Sequence, residues 1–335
     1  MRLLKWTLFA ALLTLAAAAG GFYYYANAPI ALQQSPLAFD LKTGSSFRGA
    51  ARQMADAGAI GEPFWFVLLG RVTGDASQIK AGNYEIESPI TPLQLLRKIT
   101  RGDYTQVAVT FIEGWTFKQV RKTLDDHPSV KHESQGLSDR DLARRIGVPD
   151  DAPEGWFFPD TYHFSKNASD VAILRRAHGL MQSRLKALWE KRAASLLLRS
   201  PYEALILASI VEKETGRASE RGMVASVFVN RLRIGMRLHT DPTVIYGMGD
   251  AYNGNIRKRD LTTATPWNTY TRAGLPPTPI AMPGTASLQA ALNPAASNAL
   301  YFVARGDGSS QFSRTLEEHN AAVTKYQRSG KRQNQ

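Results

Sequence analysis

Hydrophobic and polar positions divide this chain into one long uncharged run, a stretch of small amphipathic elements and a longer mixed region. From Trp6 to Tyr25, twenty positions pass without a charge, the length an α-helix needs to cross the hydrocarbon core of a bilayer. Arg2 and Lys5 precede the run, and no basic residue follows until Lys42. The positive-inside bias therefore puts residues 1–5 in the cytoplasm and everything after the span on the far side. Trp6 and the triplet Tyr23-Tyr24-Tyr25 stand at the two ends, where amphipathic rings favour the headgroup layer. Ala26-Asn27-Ala28 imitates a signal-peptidase site, but Pro29 directly after it and the length of the run favour an uncleaved anchor.

Residues 26–36 carry no charge and no regular pattern and read as a tether. Residues 37–105 read as a compact α+β module. Ser45-Ser46-Phe47 opens a helix through Met54 that Gly58 and Gly61 stop, and an apolar helix follows at 64–69. Residues 80–86 give a turn and a short strand, and Thr91-Pro92 starts an amphipathic helix ending at Gly102.

Residues 106–335 read as a second, mixed α/β domain with a helical centre. Val107, Val109 and Phe111 alternate in a strand over 106–113. Gly114-Trp115-Thr116 then turns the chain into a helix over 117–124, and another is expected at 139–146. Residues 154–162 form a dense aromatic loop or extended segment. Long helices are expected at 168–197 and 202–213, then one at 220–232 capped by Ser219. Pro242 breaks the polar segment 236–243 so that it cannot be plain helix. Residues 247–284 are loop-rich. A hairpin around Gly306-Asp307-Gly308 and a helix over 316–326 complete the pattern, which contains no internal repeat.

Composition narrows the chemistry. A formal net charge of +12 over 335 residues suits an anionic partner, yet the basic residues are scattered, with no stripe interleaved by aromatics that would track a nucleic-acid strand. Nucleic acid is not expected as a partner. Without cysteine there are no disulfides, thiolate metal sites or cysteine nucleophiles. The six histidines show no H-E-x-x-H or similar close spacing, so no metal is expected, and neither a phosphate-cradling loop nor a nucleophile elbow is present.

What remains is a glutamate. Glu212 follows the apolar helical run Ile206-Leu207-Ala208-Ser209-Ile210-Val211. A carboxyl held against apolar surface keeps its proton to higher pH, as a general acid near neutrality requires. On a helix Glu212 shares its face with Ser209 and Ala208, small residues that leave room for a substrate, whereas Glu214 shares its face with the bulkier Ile210 and Val211. A solvated glutamate at a helix end is the bland alternative. Around it lie polar positions whose ordinary roles are capping and loop hydrogen bonds: Glu220, Asn230, Thr240, Asp241, Asn268 and Tyr270. Tyr162, Trp267, Tyr270 and Tyr301 are rings of the kind that stack on sugars or fill a core.

Several ordered motifs carry a resemblance: Ala208-Ser209-Ile210-Val211-Glu212-Lys213-Glu214, the run from Val224 to Leu232, Leu238 to Tyr246, Asn268-Thr269-Tyr270, Gly274-Leu275-Pro276-Pro277 and Tyr301-Phe302-Val303. Together they resemble the endolytic murein transglycosylase, or YceG-like, family over nearly the whole chain, with His239 standing where glutamine is expected. The resemblance implies a single-span inner-membrane protein with a LysM-like module ahead of a periplasmic catalytic domain and no cofactor. It also implies cleavage between N-acetylmuramic acid and N-acetylglucosamine within nascent glycan strands, leaving a 1,6-anhydro end and terminating elongation, with Glu212 at the catalytic position. Glu220, Asn230, Thr240, Asp241, Asn268 and Tyr270 are the candidates for positioning sugar or the glutamate. Peptidoglycan strands are the implied partner, and synthases or division proteins further ones.

An ordinary glycosidase uses two carboxylates, one as acid and one as nucleophile or base. A lytic transglycosylase can work with one, because the substrate's C6 hydroxyl replaces water, and the sequence shows no evident second carboxylate. The rival expectations are a non-catalytic peptidoglycan-binding scaffold that recruits synthases, and a hydrolase using water.

Overall fold

The computed structural model describes residues 2–103, 105–214 and 217–328. It is mixed α+β and opens with one apolar helix, α1 (Arg2–Asn27). The Leu4–Asn27 part of α1 is long and apolar enough to cross a membrane. The chain divides into two compact units. One holds the chain up to Ala108 together with His163–Asn167; the other holds Val109–Tyr162 and the chain from Ala168 onward.

In the first unit α1 is followed by β1 (Leu37–Leu41), α2 (Phe47–Asp56), α3 (Pro63–Thr73), β2 (Gly82–Ile86) and α4 (Pro92–Arg101). The local signals work as expected. The Ser46 side chain accepts the Gly49 N–H at the start of α2, and Thr91 and Gln94 close a reciprocal capping box before Pro92, satisfying N–H groups that the first helical turn leaves unpaired. β1 and β2 are antiparallel, with Leu37 opposite Ile86 and Leu41 opposite Gly82. Leu37, Phe39 and Leu41 point inward onto a core with Met54, Phe66, Tyr84 and Leu95, which also covers Ala26 at the end of α1.

The chain continues through β3 (Gln106–Thr110), α5 (Phe117–Asp125), β4 (Val130–Lys131), α6 (Asp139–Ile146), β5 (Thr161–Ser165), β6 (Ala168–Ser169), α7 (Asp170–Glu190), α8 (Pro201–Glu214), α9 (Arg221–Arg233), α10 (Asp241–Met248) and α11 (Lys258–Thr262). It closes with α12 (Thr285–Leu292), β7 (Tyr301–Ala304), β8 (Ser310–Ser313) and α13 (Leu316–Val323). β3 pairs with β5, β4 with β6 and β7 with β8. The second unit is built on α8, which is buried continuously from Ala204 to Val211 and packs against α9 and α12. A helix apolar on every side has to be central, because no face of it can meet water without loss of hydrophobic stabilisation.

Four local expectations give way to tertiary contacts. The helix expected at 168–197 is α7, which starts two residues later, because Ala168 and Ser169 pair with β4. It ends at Glu190, and the Ala193 N–H bonds to the Leu292 carbonyl instead of continuing the helix. Ser219 does not cap α9: residues 218–220 form a short 3₁₀ turn, and no side chain caps the helix. Pro242 does not break a segment but opens α10, occupying a first-turn position where the missing N–H leaves no bond unmade. α12 lies just after the proline-rich stretch and was masked by it.

One buried acid ties this unit together. Glu154, 7% exposed, accepts the Phe117 N–H at the start of α5 at 3.0 Å and the Tyr246 hydroxyl of α10 at 3.1 Å. Burial dominates these bonds and pushes its pKa up to about 8. The folded protein therefore binds this proton more tightly than the unfolded chain does. That contribution is full below the ordinary carboxylate pKa and is lost as pH rises toward about 8. Thermal denaturation from pH 5 to 9 should show stability falling with pH by several kcal/mol at most. Glu154→Gln, neutral at every pH and still an acceptor, should flatten the fall.

Candidate active site

α8 carries Glu212 to its last turn, where three other segments converge. The first is a strap, residues 279–284, that runs beside α8. The Ile280 N–H donates to the Ser209 hydroxyl at 3.0 Å, and Ser209 in turn donates to the Ile206 carbonyl at 2.7 Å. One helical turn further along α8, the Gly284 N–H donates to Glu212 Oε2 at 2.8 Å. Ala208 and Ser209 are fully buried. Ser209 is covered by the strap and neither residue is open to a substrate, which corrects the expectation drawn from the helical face.

The second segment is the turn 112–116. It is pinned to the strap by the Gly114 N–H to the Met282 carbonyl, 2.9 Å, and by the Met282 N–H to the Trp115 carbonyl, 2.6 Å. Lys213 Nζ adds a bond to the Gly114 carbonyl at 3.2 Å. Gly114 has φ +78°, a conformation that glycine adopts without steric cost. The third segment is the start of α9, where Arg221 Nη2 lies 3.5 Å from Glu212 Oε1. The Glu212 side chain is 6% exposed. Its two oxygens thus face a guanidinium and the N–H of the residue that opens α12, a helix end carrying partial positive charge.

A second carboxylate is present after all. Glu113, on the turn, lies against Gly284: a β-carbon at Gly284 would fall 1.7 Å from Glu113 Oε1. Gly284 is therefore bordered by Glu113 and hydrogen-bonded to Glu212. Burial first, and the negative charge of Glu212 second, hold the Glu113 carboxyl above the ordinary carboxylate range, while Arg221 acts the other way. The only sequence signal was an acid at a strand-to-turn junction before Gly114, and nothing in it pointed to Glu212, 99 positions away.

Glu214, two residues on, is held by burial above its ordinary range and accepts a hydrogen bond from the Thr240 hydroxyl. Thr240 also donates its N–H to Thr269 Oγ1 at 3.1 Å. Asn268 is fully buried; its amide donates to the carbonyls of Asp260, Leu261 and Thr263, and its oxygen accepts the Tyr270 N–H. The Tyr270 hydroxyl donates to Asp241 at 2.6 Å, and its ring stacks on His239 at 4.9 Å. Asn230 donates to the carbonyls of Ser297 and Ala299, and Glu220 accepts the Ser310 N–H at 3.0 Å. Asp241 and Tyr270 thus form one partly exposed pair, while Asn230 and Asn268 are buried and hold backbone carbonyls, Thr240 is buried between Glu214 and Thr269, and Glu220 clamps β8.

Of the four aromatic candidates, Tyr162 is a core residue, 4% exposed, with its hydroxyl on the Phe158 carbonyl. Tyr301 stacks on His319 at 5.2 Å, with Arg231 over its ring. Trp267 instead lines a cleft of about 730 Å³ with Phe117, Glu154, Tyr246 and Tyr252. Asp125, His132 and Asp170 are the one acid and histidine cluster close enough to hold a metal among the described residues. Both Asp170 oxygens already accept hydrogen bonds, from the N–H groups of Glu133 and Ser134 and the Ser134 hydroxyl.

Comparison with known proteins gives the family of the chain. Residues 39–325 match the model of the YceG-like family, and the chain belongs to that family. A Bacillus subtilis protein named endolytic murein transglycosylase is 31% identical over 273 residues, covering 75% of this chain and 74% of that one. A Streptococcus pneumoniae protein of the same name is 24% identical over 84% of this chain, which spans 57% of that relative's length. The crystal structure of a YceG-like protein from Listeria monocytogenes superposes with a TM-score of 0.53 at 28% identity, over 86% of this chain and 99% of that one.

Gly284 offers a test of the pairing. Its φ is −80°, open to any residue, and the atoms a methyl would strike are the movable end of Glu113. Gly284→Ala should therefore leave the melting temperature within the shift expected of about 1 kcal/mol while displacing Glu113. Activity of the variant should fall to the level of Glu113→Gln, with no further loss in the double variant.

Proposed function

We propose that this chain is a membrane-anchored endolytic murein transglycosylase in which Glu212 is first acid and then base. The observation that carries the reading is the placement of Glu212: a nearly buried carboxyl fixed by the Gly284 N–H and Arg221 at the mouth of the strap, in a YceG-like chain. In the proposed reaction Glu212 protonates the oxygen joining N-acetylmuramic acid C1 to the next N-acetylglucosamine, and the C1–O bond breaks. The C6 hydroxyl of the same muramic acid then attacks C1 and gives its proton to the Glu212 carboxylate. The products are a 1,6-anhydro end and a free 4-hydroxyl, and no water is consumed.

Glu113 gives the site a second carboxyl, so a carboxylate count alone no longer separates this route from hydrolysis. We assign it to tuning the pair: opposite a single Arg221 two carboxyls favour one negative charge over two, and burial and the charge of Glu212 hold the Glu113 carboxyl above its ordinary range. Asp241 and Tyr270 are proposed to meet sugar; Glu220, Asn230, Thr240 and Asn268 are proposed to hold the groove in shape. The cleft lined by Trp267 and Tyr246 offers apolar ring faces to more distant sugars, as cutting within a strand requires. In the same reading α1 crosses the inner membrane with Arg2 and Lys5 on the cytoplasmic side, and the first unit, two helices between paired strands, serves as a LysM-like glycan grip. Synthases or division proteins are proposed as neighbours in the wall.

Mass spectrometry of digested peptidoglycan decides between the readings, since an anhydro end is one water lighter than a reducing end. Wild type should release anhydro-ended fragments, and Glu212→Gln should lower that rate about 10²-fold or more without loss of folding. Reducing ends would establish the hydrolase, and the absence of fragments from wild type the scaffold. Glu113→Gln should keep part of the activity and move the alkaline limb of the pH–rate profile toward acid, because no second negative charge then opposes ionisation of the site.

A further inference from the structure

α3 has two apolar faces, and only one is covered by the protein. Phe66, Leu69 and Gly70 are buried in the first unit. At 100° per residue, Phe64, Leu68, Val72 and Trp65 fall within one arc on the opposite side, with Arg71 at its border. Phe64 is 64% exposed, Trp65 45% and Val72 66%. Apart from α1, the other large apolar residues exposed among the described residues are Ile112, Leu197, Ile234 and Leu316, each alone on its element. A stripe of this kind is not ordinary surface scatter.

The location of the stripe indicates its occupant. The Trp65 ring lies 6.3 Å from that of Tyr25, in the last turn of α1, and Phe22, Ala26, Ile30 and Leu32 pack on the same unit's core. The 24 residues of the apolar span rise about 36 Å, longer than a hydrocarbon core of about 30 Å, so the last turn of α1 reaches headgroup depth. Trp65 is therefore held at the depth where amphipathic rings concentrate. Beside the stripe, Arg48, Arg52 and Arg71 line a hollow of about 340 Å³ with Phe64, Leu68 and Glu62. Three guanidiniums against one carboxylate next to an apolar edge match a layer of lipid phosphates above acyl chains.

We propose that α3 docks in the surface of the bilayer that α1 crosses, with Phe64, Trp65, Leu68 and Val72 entering the headgroup boundary and Arg48, Arg52 and Arg71 taking anionic lipid phosphates. The first unit is thus fixed at the membrane face instead of swinging on α1. The inference rests on the anchor reading of α1.

The chain contains no cysteine, so Val72→Cys in the full-length protein accepts a single environment-sensitive dye at an exposed position that disturbs no packing. In vesicles containing phosphatidylglycerol, brominated acyl chains should quench the dye about two-fold, and less in phosphatidylcholine alone. Arg48→Gln/Arg52→Gln/Arg71→Gln should remove the difference between the two lipids. No quenching in either vesicle overturns the proposal, and equal quenching in both overturns the role of the arginines. A dye shielded in native membranes yet unquenched by brominated lipid would place a protein on the stripe instead, and also overturns it. Flotation of the labelled protein with vesicles after carbonate washing reports on the anchor separately, so failure of α1 to span is distinguishable from failure of α3 to dock.

Discussion

The hydrogen bond from the Ile280 N–H to the Ser209 hydroxyl, buried in the centre of the second unit, is the contact from which the site is built. It seats the strap against α8 at the small side chain of Ser209, and a buried N–H left unpaired there would be costly. Once seated, the strap dictates the rest. Met282 pairs in both directions with the turn 112–116, Gly284 reaches Glu212, and α12 begins at the next residue. Gly155 shows how tightly the strap is held from outside, since a β-carbon there would fall 2.5 Å from the Pro279 side chain.

The electrostatics follow from that geometry. Two carboxyls and one guanidinium meet around a glycine, so the cluster is more stable with one negative charge than with two. Glu113 is displaced above the ordinary range by burial and by Glu212. Glu214, although only two positions from Glu212 in sequence, lies beside Thr240 and Asp241 and serves a different network. Two glutamates two positions apart on a helix point about 200° apart, which is enough to separate a proposed reacting group from a structural one.

Much of the fold was legible because the signals were local. The caps at Ser46, Thr91 and Thr116 and the turn at Gly306-Asp307-Gly308 act within a few residues of themselves. The continuous apolar run of α8 similarly required a central position. The misread elements depended on distant partners. Residues 191–197 leave the helix because Ala193 bonds to Leu292, and α12 acquires its place by packing on α8. Pro242 could be read as a breaker or a starter, and the structure uses it as a starter.

The sequence by itself determined the apolar span, the largely apolar helical run with Glu212 and Glu214 behind it, and the ordered motifs that identify the family, because each lies in one contiguous stretch. Tertiary structure decided that Ser209 beside Glu212 is covered by the strap and not open to a sugar, that Glu113 joins it, and that one face of α3 is left uncovered beside α1. These outcomes depend on which surfaces meet after the chain closes on itself. Side-chain volume at Ser209 and charge at Glu113 have meaning only once the strap and the turn have been brought to them.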